Sequence, residues 1–285
     1  MSTLKIAVQK SGRLNEDSLK ILKQIGISID NGKDQLKASA RNFPLEVFYL
    51  RNGDIPQYLK DGVVDAAIIG ENVLLEKGKD ITIVEKLGFS KCRVSIAVPK
   101  SSEATSLKDL EGKRIATSYP NTVNQFLQAS GVSANLHIIN GSVEIAPNIG
   151  LADGICDIVS SGSTLFKNGL KEIEVLLKSE AVLATSPKIS EENQAIIDTI
   201  QFRLKSVLRG RENKYVLLNA PNEKLDEICS ILPGMNSPTI LPLAKEGWSS
   251  LHSVINKNDF WDVIDELKAN GAEGILVCPI ENMVL

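Results

Sequence analysis

The sequence predicts an α/β protein with mostly parallel sheets, followed by a smaller C-terminal segment of the order βαββαβ. Three observations support this. Short apolar runs alternate with amphipathic helical runs from the first residues onward. The run at 63–69 is apolar nearly throughout, as a parallel strand buried on both faces should be. After residue 213 the spacing of the apolar runs changes, and a chain of 285 residues has room for about two domains.

The first half of the chain has start and stop signals at the expected places. Asn15 should cap a helix that Gly26 ends, and Ser106 to Asp109 has the pattern of a capping box. The predicted elements are strands at 4–8, 45–50, 63–69, 114–117, 136–139 and 155–159, helices at 15–26, 54–62 and 123–131, and a partly helical stretch at 143–151.

The longest predicted helix runs from Ser190 to Leu208, and the polar stretch 209–213 behind it predicts a domain boundary. The C-terminal segment then has the split βαβ, ferredoxin-like order. Its predicted elements are strands at 215–218, 239–243, 251–255 and 274–278, and helices at 223–232 and 259–268.

Composition excludes several functional classes. The net charge of −3 argues against nonspecific nucleic-acid binding, which needs a basic excess. His137 and His252 are the only histidines, so a three-histidine metal site is impossible, and the four cysteines form no CxxC pair. With no signal-peptide pattern and no apolar run long enough for a membrane span, we expect a cytoplasmic protein that binds neither nucleic acid nor membranes.

The most informative segment is 157–165, where a buried strand ends in small hydroxylated residues around Gly162. Such a turn presents backbone N–H groups and hydroxyls to an anion. Three acidic residues accompany the turn: Glu144 and Asp153 lie just upstream, and Asp157 begins the segment. A phosphate site beside carboxylates suits a magnesium-bound phosphorylated substrate, although a serine-rich turn is the alternative interpretation.

Other strand ends carry polar groups as well. Lys10 and Arg13 follow the first strand, and polar residues also end the strands before Glu71 and Tyr119. Ligands of open α/β sheets bind beyond the carboxyl ends of strands, so these groups are expected in a cleft between two α/β lobes, unless they are solvated turns.

The run from Glu144 to Leu165 resembles the signature of the ATP phosphoribosyltransferase family, whose members catalyse the first step of histidine biosynthesis. The resemblance spans nearly the whole chain and includes five further segments: 9–14, 61–65, 69–72, 112–120 and 237–243. It implies two periplasmic-binding-protein-like lobes, with residues 1–95 plus 185–208 as lobe I and 96–184 as lobe II. Residues 209–285 then match the ACT-like, histidine-binding regulatory domain of the family's long form.

The resemblance also implies a reaction, partners and site residues. Phosphoribosyl pyrophosphate and ATP would be the substrates, Mg²⁺ the cofactor and histidine a feedback inhibitor of a homohexamer or its dimers. The donor would be bound by Asp153, Asp157, Ser160, Ser161, Gly162, Ser163 and Thr164. Asp157 and Glu144 would be catalytic, and Mg²⁺ would be held mainly by substrate phosphates, with Glu144 and Asp153 as candidate ligands. ATP would contact Lys10, Gly12, Arg13, Arg51, Glu71, Arg93 and Tyr119, and the inhibitor Asn219, Ser237, Thr239 and Gly274.

Three alternatives remain. A type I phosphoribosyltransferase acting on a free base has a similar loop, but typically with two adjacent acids, whereas Cys156 precedes Asp157 here. Prephenate dehydratase joins a similar pair of lobes to a sensing domain, but its Thr-Arg-Phe motif is absent. A solute-binding protein would hold a ligand without turnover.

Overall fold

The computed structural model describes residues 2–30, 35–235 and 237–285. The chain forms two compact units, Met1–Asp198 and Thr199–Leu285. In chain order the strands are β1 (Leu4–Gln9), β2 (Lys37–Ser39), β3 (Leu45–Leu50), β4 (Ala66–Gly70), β5 (Thr82–Lys86), β6 (Cys92–Pro99), β7 (Arg114–Thr117), β8 (Asn135–Ile138), β9 (Gly154–Val159), β10 (Leu170–Ser179), β11 (Ala181–Thr185), β12 (Asn213–Pro221), β13 (Thr239–Pro242), β14 (Trp248–Asn256) and β15 (Glu273–Pro279). The α-helices are α1 (Arg13–Gln24), α2 (Ile55–Asp61), α3 (Glu71–Lys77), α4 (Pro120–Ser130), α5 (Ser163–Lys167), α6 (Glu191–Glu212), α7 (Leu225–Ile231) and α8 (Phe260–Ala269).

The first unit contains two sheets, each the centre of one lobe. The first has the order β2-β3-β1-β4-β11-β5 and the second the order β10-β6-β9-β7-β8. Strands β3, β1 and β4 are parallel, as are β8, β7 and β9, while β2, β5, β6, β10 and β11 pair antiparallel with their neighbours. The prediction of mostly parallel sheets is therefore wrong, because both sheets are mixed.

The central strands are buried on both faces, which explains their apolar sequences. In β4, Ala66, Ala67 and Ile69 are completely buried, and Ile68 is 1% exposed. Helices α2 and α3 pack on one side of this sheet through Leu59 and other apolar side chains. This packing fixes the carboxyl end of β4, from which α3 begins directly.

The chain passes between the lobes twice, after β5 and after β10. Two backbone hydrogen bonds join the crossing segments. The N–H of Leu87 donates to the carbonyl of Ala181 at 2.9 Å, and the N–H of Ala181 donates to the carbonyl of Phe89 at 3.0 Å. Strand β6 lies wholly in the second sheet and β11 in the first, so both crossings come a few residues before the predicted lobe limits at 95 and 184.

Helix α6 extends over 22 residues to Glu212, so the polar stretch at 209–213 does not form a loop ahead of β12. Residues 209–212 are helical, and β12 begins at Asn213. Gly210 favours a loop in the sequence, but the structure requires glycine here for packing. A Cβ at this position would lie 2.6 Å from the carbonyl oxygen of Ile280. The division between the two compact units falls inside this helix, after Asp198.

The second unit confirms the ferredoxin-like order βαββαβ. Its sheet has the order β13-β14-β12-β15 with antiparallel neighbours. Val216, Leu218 and Leu251 face α7 and α8 and form the core with Ile228 and Leu267. The α/β fold with two lobes and a C-terminal ferredoxin-like domain is thus confirmed.

Neither unit, within the described residues, has a helix that is both long and apolar enough to cross a membrane.

Candidate functional site

A cavity of about 180 Å³ lies at the carboxyl end of β9. It is lined by Glu144, Asp157 and the residues 158–165. The turn after β9 reaches α5 through Gly162, whose φ of +78° lies in the left-handed region that glycine adopts without strain. Ser160, Ser161, Ser163 and Thr164 are exposed, so their hydroxyls are available to a ligand.

Hydrogen bonds hold the shape of this turn. The Ser161 hydroxyl donates to Ser163 Oγ at 3.1 Å. Arg93 Nη1 donates to the Ser160 carbonyl at 3.2 Å, and Arg93 Nε contacts both carboxylate oxygens of Glu172 at 2.9 Å. Arg93 therefore ties the turn to β10, and its guanidinium stays next to the cavity.

Asp157 and Glu144 bring two carboxylates to one cavity. Burial raises the pKa of Asp157, and the negative charge of Glu144 raises it further. The N–H of Ile158 donates to Asp157 Oδ1 at 2.8 Å, which favours the ionised form in part. The site is therefore suited to bind a cation or to accept hydrogen bonds from ligand hydroxyls.

The structure does not bring Asp153 to this cavity. Asp153 precedes β9 at the end opposite the turn, and its carboxylate pairs with Arg114 at 2.9 Å. Hydrogen bonds from the Arg114 side chain and backbone lower the pKa of Asp153 to about 2. We therefore leave Asp153 out of the candidate site, as a residue that fixes the start of β9 to β7.

A second cavity, of about 300 Å³, contains Arg13 and Tyr119 of the predicted set together with Ser160. Asn72 Nδ2 donates to the Tyr119 hydroxyl at 2.8 Å. Burial raises the pKa of Tyr119, and the charge of Asp157 adds to this. Tyr119 therefore stays a neutral phenol that can also donate a hydrogen bond to a ligand.

A third cavity, of about 370 Å³, contains Glu71 and Arg93. Sequence reasoning missed Lys91 and Lys178, which add positive charge to its lining, because single lysines on strand ends carry no signal. Ser160 lines all three cavities. The three therefore meet at the carboxyl end of β9.

The remaining predicted residues of the nucleotide side lie outside these three cavities in the described part of the chain. The N–H of Lys10 donates to the Leu50 carbonyl at 2.7 Å. Gly12 precedes α1 with a φ of +88°, and Arg51 is exposed. Their sequence neighbours Gln9, Arg13 and Asn52 nevertheless line the second cavity together with Ser160.

Helix α3 of the first lobe reaches the second lobe through two buried side chains that sequence reasoning missed, Asn72 and Glu76. Asn72 contacts Tyr119, as described above. The Glu76 carboxylate accepts hydrogen bonds from the N–H of Asn121 at 2.9 Å, and from the N–H and hydroxyl of Thr122 at 2.9 and 2.7 Å. The positions 72 and 76 are one helical turn apart, which places both side chains on one face of α3 but does not indicate their partners in the second lobe.

In the C-terminal unit, the structure brings two of the predicted inhibitor contacts together. A Cβ on Gly274 would lie 3.5 Å from Asn219 Nδ2. Thr239 lies opposite His252 on β14. Ser237 is exposed and donates a hydrogen bond to the Pro238 carbonyl at 3.1 Å.

Family models match most of the chain. A model described as ATP phosphoribosyltransferase matches residues 51–206, and one described as HisG, C-terminal domain, matches residues 210–282. The chain belongs to the ATP phosphoribosyltransferase family. It is thus an enzyme of histidine biosynthesis, and the predicted resemblance to the family's long form is confirmed.

Relatives that match over their full length support the same family assignment. An ATP phosphoribosyltransferase of Cytophaga hutchinsonii is 54% identical over 285 residues, covering all of both chains. One of Phocaeicola vulgatus is 51% identical over 99% of this chain and all of its own. The solved ATP phosphoribosyl transferase (HisG:HisZ) complex from Thermotoga maritima has a chain that superposes with a TM-score of 0.60 and 28% identity, over 71% of this chain and 99% of that chain.

Proposed function

We propose that this ATP phosphoribosyltransferase transfers the phosphoribosyl group of phosphoribosyl pyrophosphate to N1 of the ATP adenine. The bond between the anomeric carbon and the pyrophosphate oxygen breaks, a bond to N1 forms, and the anomeric carbon inverts. N1 has a free lone pair, so no proton must be removed first. The observation that carries the proposal is the single cavity shared by the hydroxylated turn and two carboxylates.

The turn 160–164 binds the 5′-phosphate of the donor. Its exposed hydroxyls, and the backbone N–H groups that follow Gly162, supply several donors to an anion. Asp157 accepts hydrogen bonds from the ribose hydroxyls, and its charge, with that of Glu144, lies near a ribose that gains oxocarbenium character. Catalysis therefore rests on positioning and electrostatics.

ATP occupies the two other cavities that Ser160 lines. Arg13 and Tyr119 contact one part of the nucleotide, and Glu71 and Arg93 line the adjoining basic cavity. Lys10, Gly12 and Arg51 stay second-rank candidates because they lie outside these cavities. Positioning two substrates in adjoining cavities is the main means of lowering the barrier.

Mg²⁺ bound with the donor would supply positive charge to neutralise the leaving pyrophosphate. Oxygen ligands suit this ion, which keeps several waters and is held largely by substrate phosphates. Glu144 and Asp157 are the carboxylates that could reach it. In the described residues, no group of three His, Cys, Asp or Glu side chains is placed to hold a metal ion.

A coupled assay tests the reaction. The purified chain is mixed with ATP, phosphoribosyl pyrophosphate and Mg²⁺, with pyrophosphatase present to pull the reaction, and the ultraviolet absorbance of the N1-alkylated nucleotide is followed. We expect turnover that needs both substrates. Turnover with a free base instead of ATP would favour a free-base transferase, and donor binding without any turnover would favour a binding protein.

We further propose that histidine inhibits the enzyme through the C-terminal domain, in a cytoplasmic homohexamer that exchanges with dimers. The neighbouring positions of Asn219 and Gly274 support a ligand site there. Inhibition from a separate domain requires two states with different affinities for the inhibitor. Asn219→Ala should weaken inhibition by histidine at least about tenfold, a loss of about 1.4 kcal/mol, with unchanged turnover in its absence. Unchanged inhibition would remove Asn219 from the site.

A further inference from the structure

Helix α4 in the second lobe begins without a capping residue of the usual type. Its N-cap position is Tyr119, whose hydroxyl accepts a hydrogen bond from Asn72 instead. Pro120 at the first helical position has no N–H to satisfy. The next two N–H groups, of Asn121 and Thr122, are those that an N-cap side chain normally binds.

Glu76 of the first lobe takes over this task. Its two carboxylate oxygens accept from the N–H groups of Asn121 and Thr122, each at 2.9 Å. The Thr122 hydroxyl adds a third bond at 2.7 Å, and Asn121 Nδ2 donates to the Glu76 carbonyl at 2.9 Å. In the described structure, the first turn of α4 contains no acidic residue. Glu76 therefore also supplies the negative charge that a helix N-terminus favours.

The position of this contact matters for the cleft. Tyr119 lines the second cavity and directly precedes α4. Glu76 is 4% exposed, so its hydrogen bonds are little weakened by water. Asn72, one turn earlier on α3, holds the Tyr119 hydroxyl itself. One helix of the first lobe therefore fixes both ends of the Tyr119–Thr122 segment of the second lobe.

We propose that Glu76 is a positioning residue: by capping α4 from the opposite lobe, it sets the place of Tyr119 and the spacing of the two lobes in the complex with both substrates. This inference rests on the proposed function. The donor phosphate turn lies within the second lobe, whereas ATP contacts side chains of both. Loss of the cap should therefore weaken the use of ATP more than the binding of the donor.

The test compares Glu76→Gln with the matched control Asp109→Asn. Asp109 is also a capping carboxylate, which accepts from the N–H groups of Thr105 and Ser106 at 2.9 Å, but inside the second lobe. We expect kcat/KM for ATP to fall at least about tenfold in Glu76→Gln. The Kd of the donor with Mg²⁺, from calorimetry without ATP, should stay within about twofold. Asp109→Asn should change neither quantity.

Two results would overturn the proposal. One is an unchanged kcat/KM for ATP in Glu76→Gln. The other is a loss of kcat/KM for ATP that is matched by an equal weakening of donor binding and also occurs in Asp109→Asn. That result would indicate general destabilisation. If Glu76→Gln does not fold, Thr122→Val removes one hydrogen bond and should shift kcat/KM for ATP alone, in the same direction. A Thr122→Val enzyme with unchanged kinetics would then count against the proposal.

Hydrogen exchange separates this inference from the proposed function. If the unmodified protein does not turn over ATP, the proposed reaction fails, but the contact between the lobes can still be measured. The amides of 71–77 and those of Tyr119, Asn121 and Thr122 should then both exchange faster in Glu76→Gln than in the unmodified protein. Unchanged exchange of 71–77 would show that Glu76 is a local cap only, and the positioning role would be rejected.

Discussion

Asp157→Asn is the substitution that most directly tests the proposed donor site. An asparagine keeps the size of the side chain, and its Oδ1 can accept the 2.8 Å hydrogen bond from the N–H of Ile158. The turn after β9 should therefore keep its shape. What is lost is the charge, and with it the strength of hydrogen bonds from the ribose hydroxyls.

The magnitude follows from the kind of hydrogen bond removed. A hydrogen bond to a charged group contributes about 1.5–3 kcal/mol, which corresponds to a factor of roughly 10 to 150 in rate or affinity. Asp157 is partly buried beside Glu144, so screening by water is limited. We expect kcat/KM for phosphoribosyl pyrophosphate to fall within this range in steady-state assays at saturating ATP.

The free energy of unfolding should not fall with the activity in Asp157→Asn. The test therefore separates loss of the donor site from general destabilisation. Burial and Glu144 raise the pKa of Asp157, so the folded protein binds this proton more tightly than the unfolded chain does. Its contribution to stability is present below the unfolded-state pKa and declines as pH rises through the raised pKa. At neutral pH the asparagine variant should therefore unfold in denaturant no earlier than the unmodified protein. A stable variant with donor kinetics within about threefold of normal would refute the assignment.

The other predictions concern residues around the same cavity. Gly162→Ala should destabilise the first unit by about 1–2 kcal/mol in denaturant titrations, because alanine is strained in the left-handed region. The methyl group itself has room, since the nearest atom, Arg93 Nη2, would lie 4.0 Å away. An unchanged unfolding midpoint would contradict this prediction. Asp153→Asn should leave the KM for the donor unchanged, and a rise of at least about tenfold would return Asp153 to the site. The pKa of Asp153 is lowered to about 2, so its contribution to stability is present above the unfolded-state pKa and declines as pH falls through about 2. Thermal unfolding at several pH values should show a difference between the variant and the unmodified protein that shrinks in acid.

Local signals in the sequence predicted much of the fold. Strand β3 occupies the predicted residues 45–50, and the capping box at Ser106 and Asp109 is formed around a short 3-10 helix. Strand β10 was not predicted, since its pairing with β6 shifts register between Glu172 and Glu174 and again between Val175 and Leu177. These irregularities interrupt the alternation by which an isolated sequence indicates a strand.

The candidate site was predictable where neighbours in the sequence are also neighbours in space. The turn after β9 is such a case, because its polar groups follow one another along the chain. The two carboxylates Asp153 and Asp157 are close in sequence but not in space, since four residues of a strand span about 13 Å. The contact of Glu76 with Thr122 joins two lobes across 46 positions of sequence, and no local pattern indicates such a contact.

The paired crossing segments between the lobes constrain how the cleft can open. A single linker would let one lobe swivel freely, whereas two segments joined at Leu87 and Ala181 favour bending about one axis. The atoms that make this joint are main-chain amides and carbonyls, which substitutions leave in place. Substitution of side chains that line the cleft can therefore change what it binds and how tightly, while the axis about which it opens and closes stays set by the backbone.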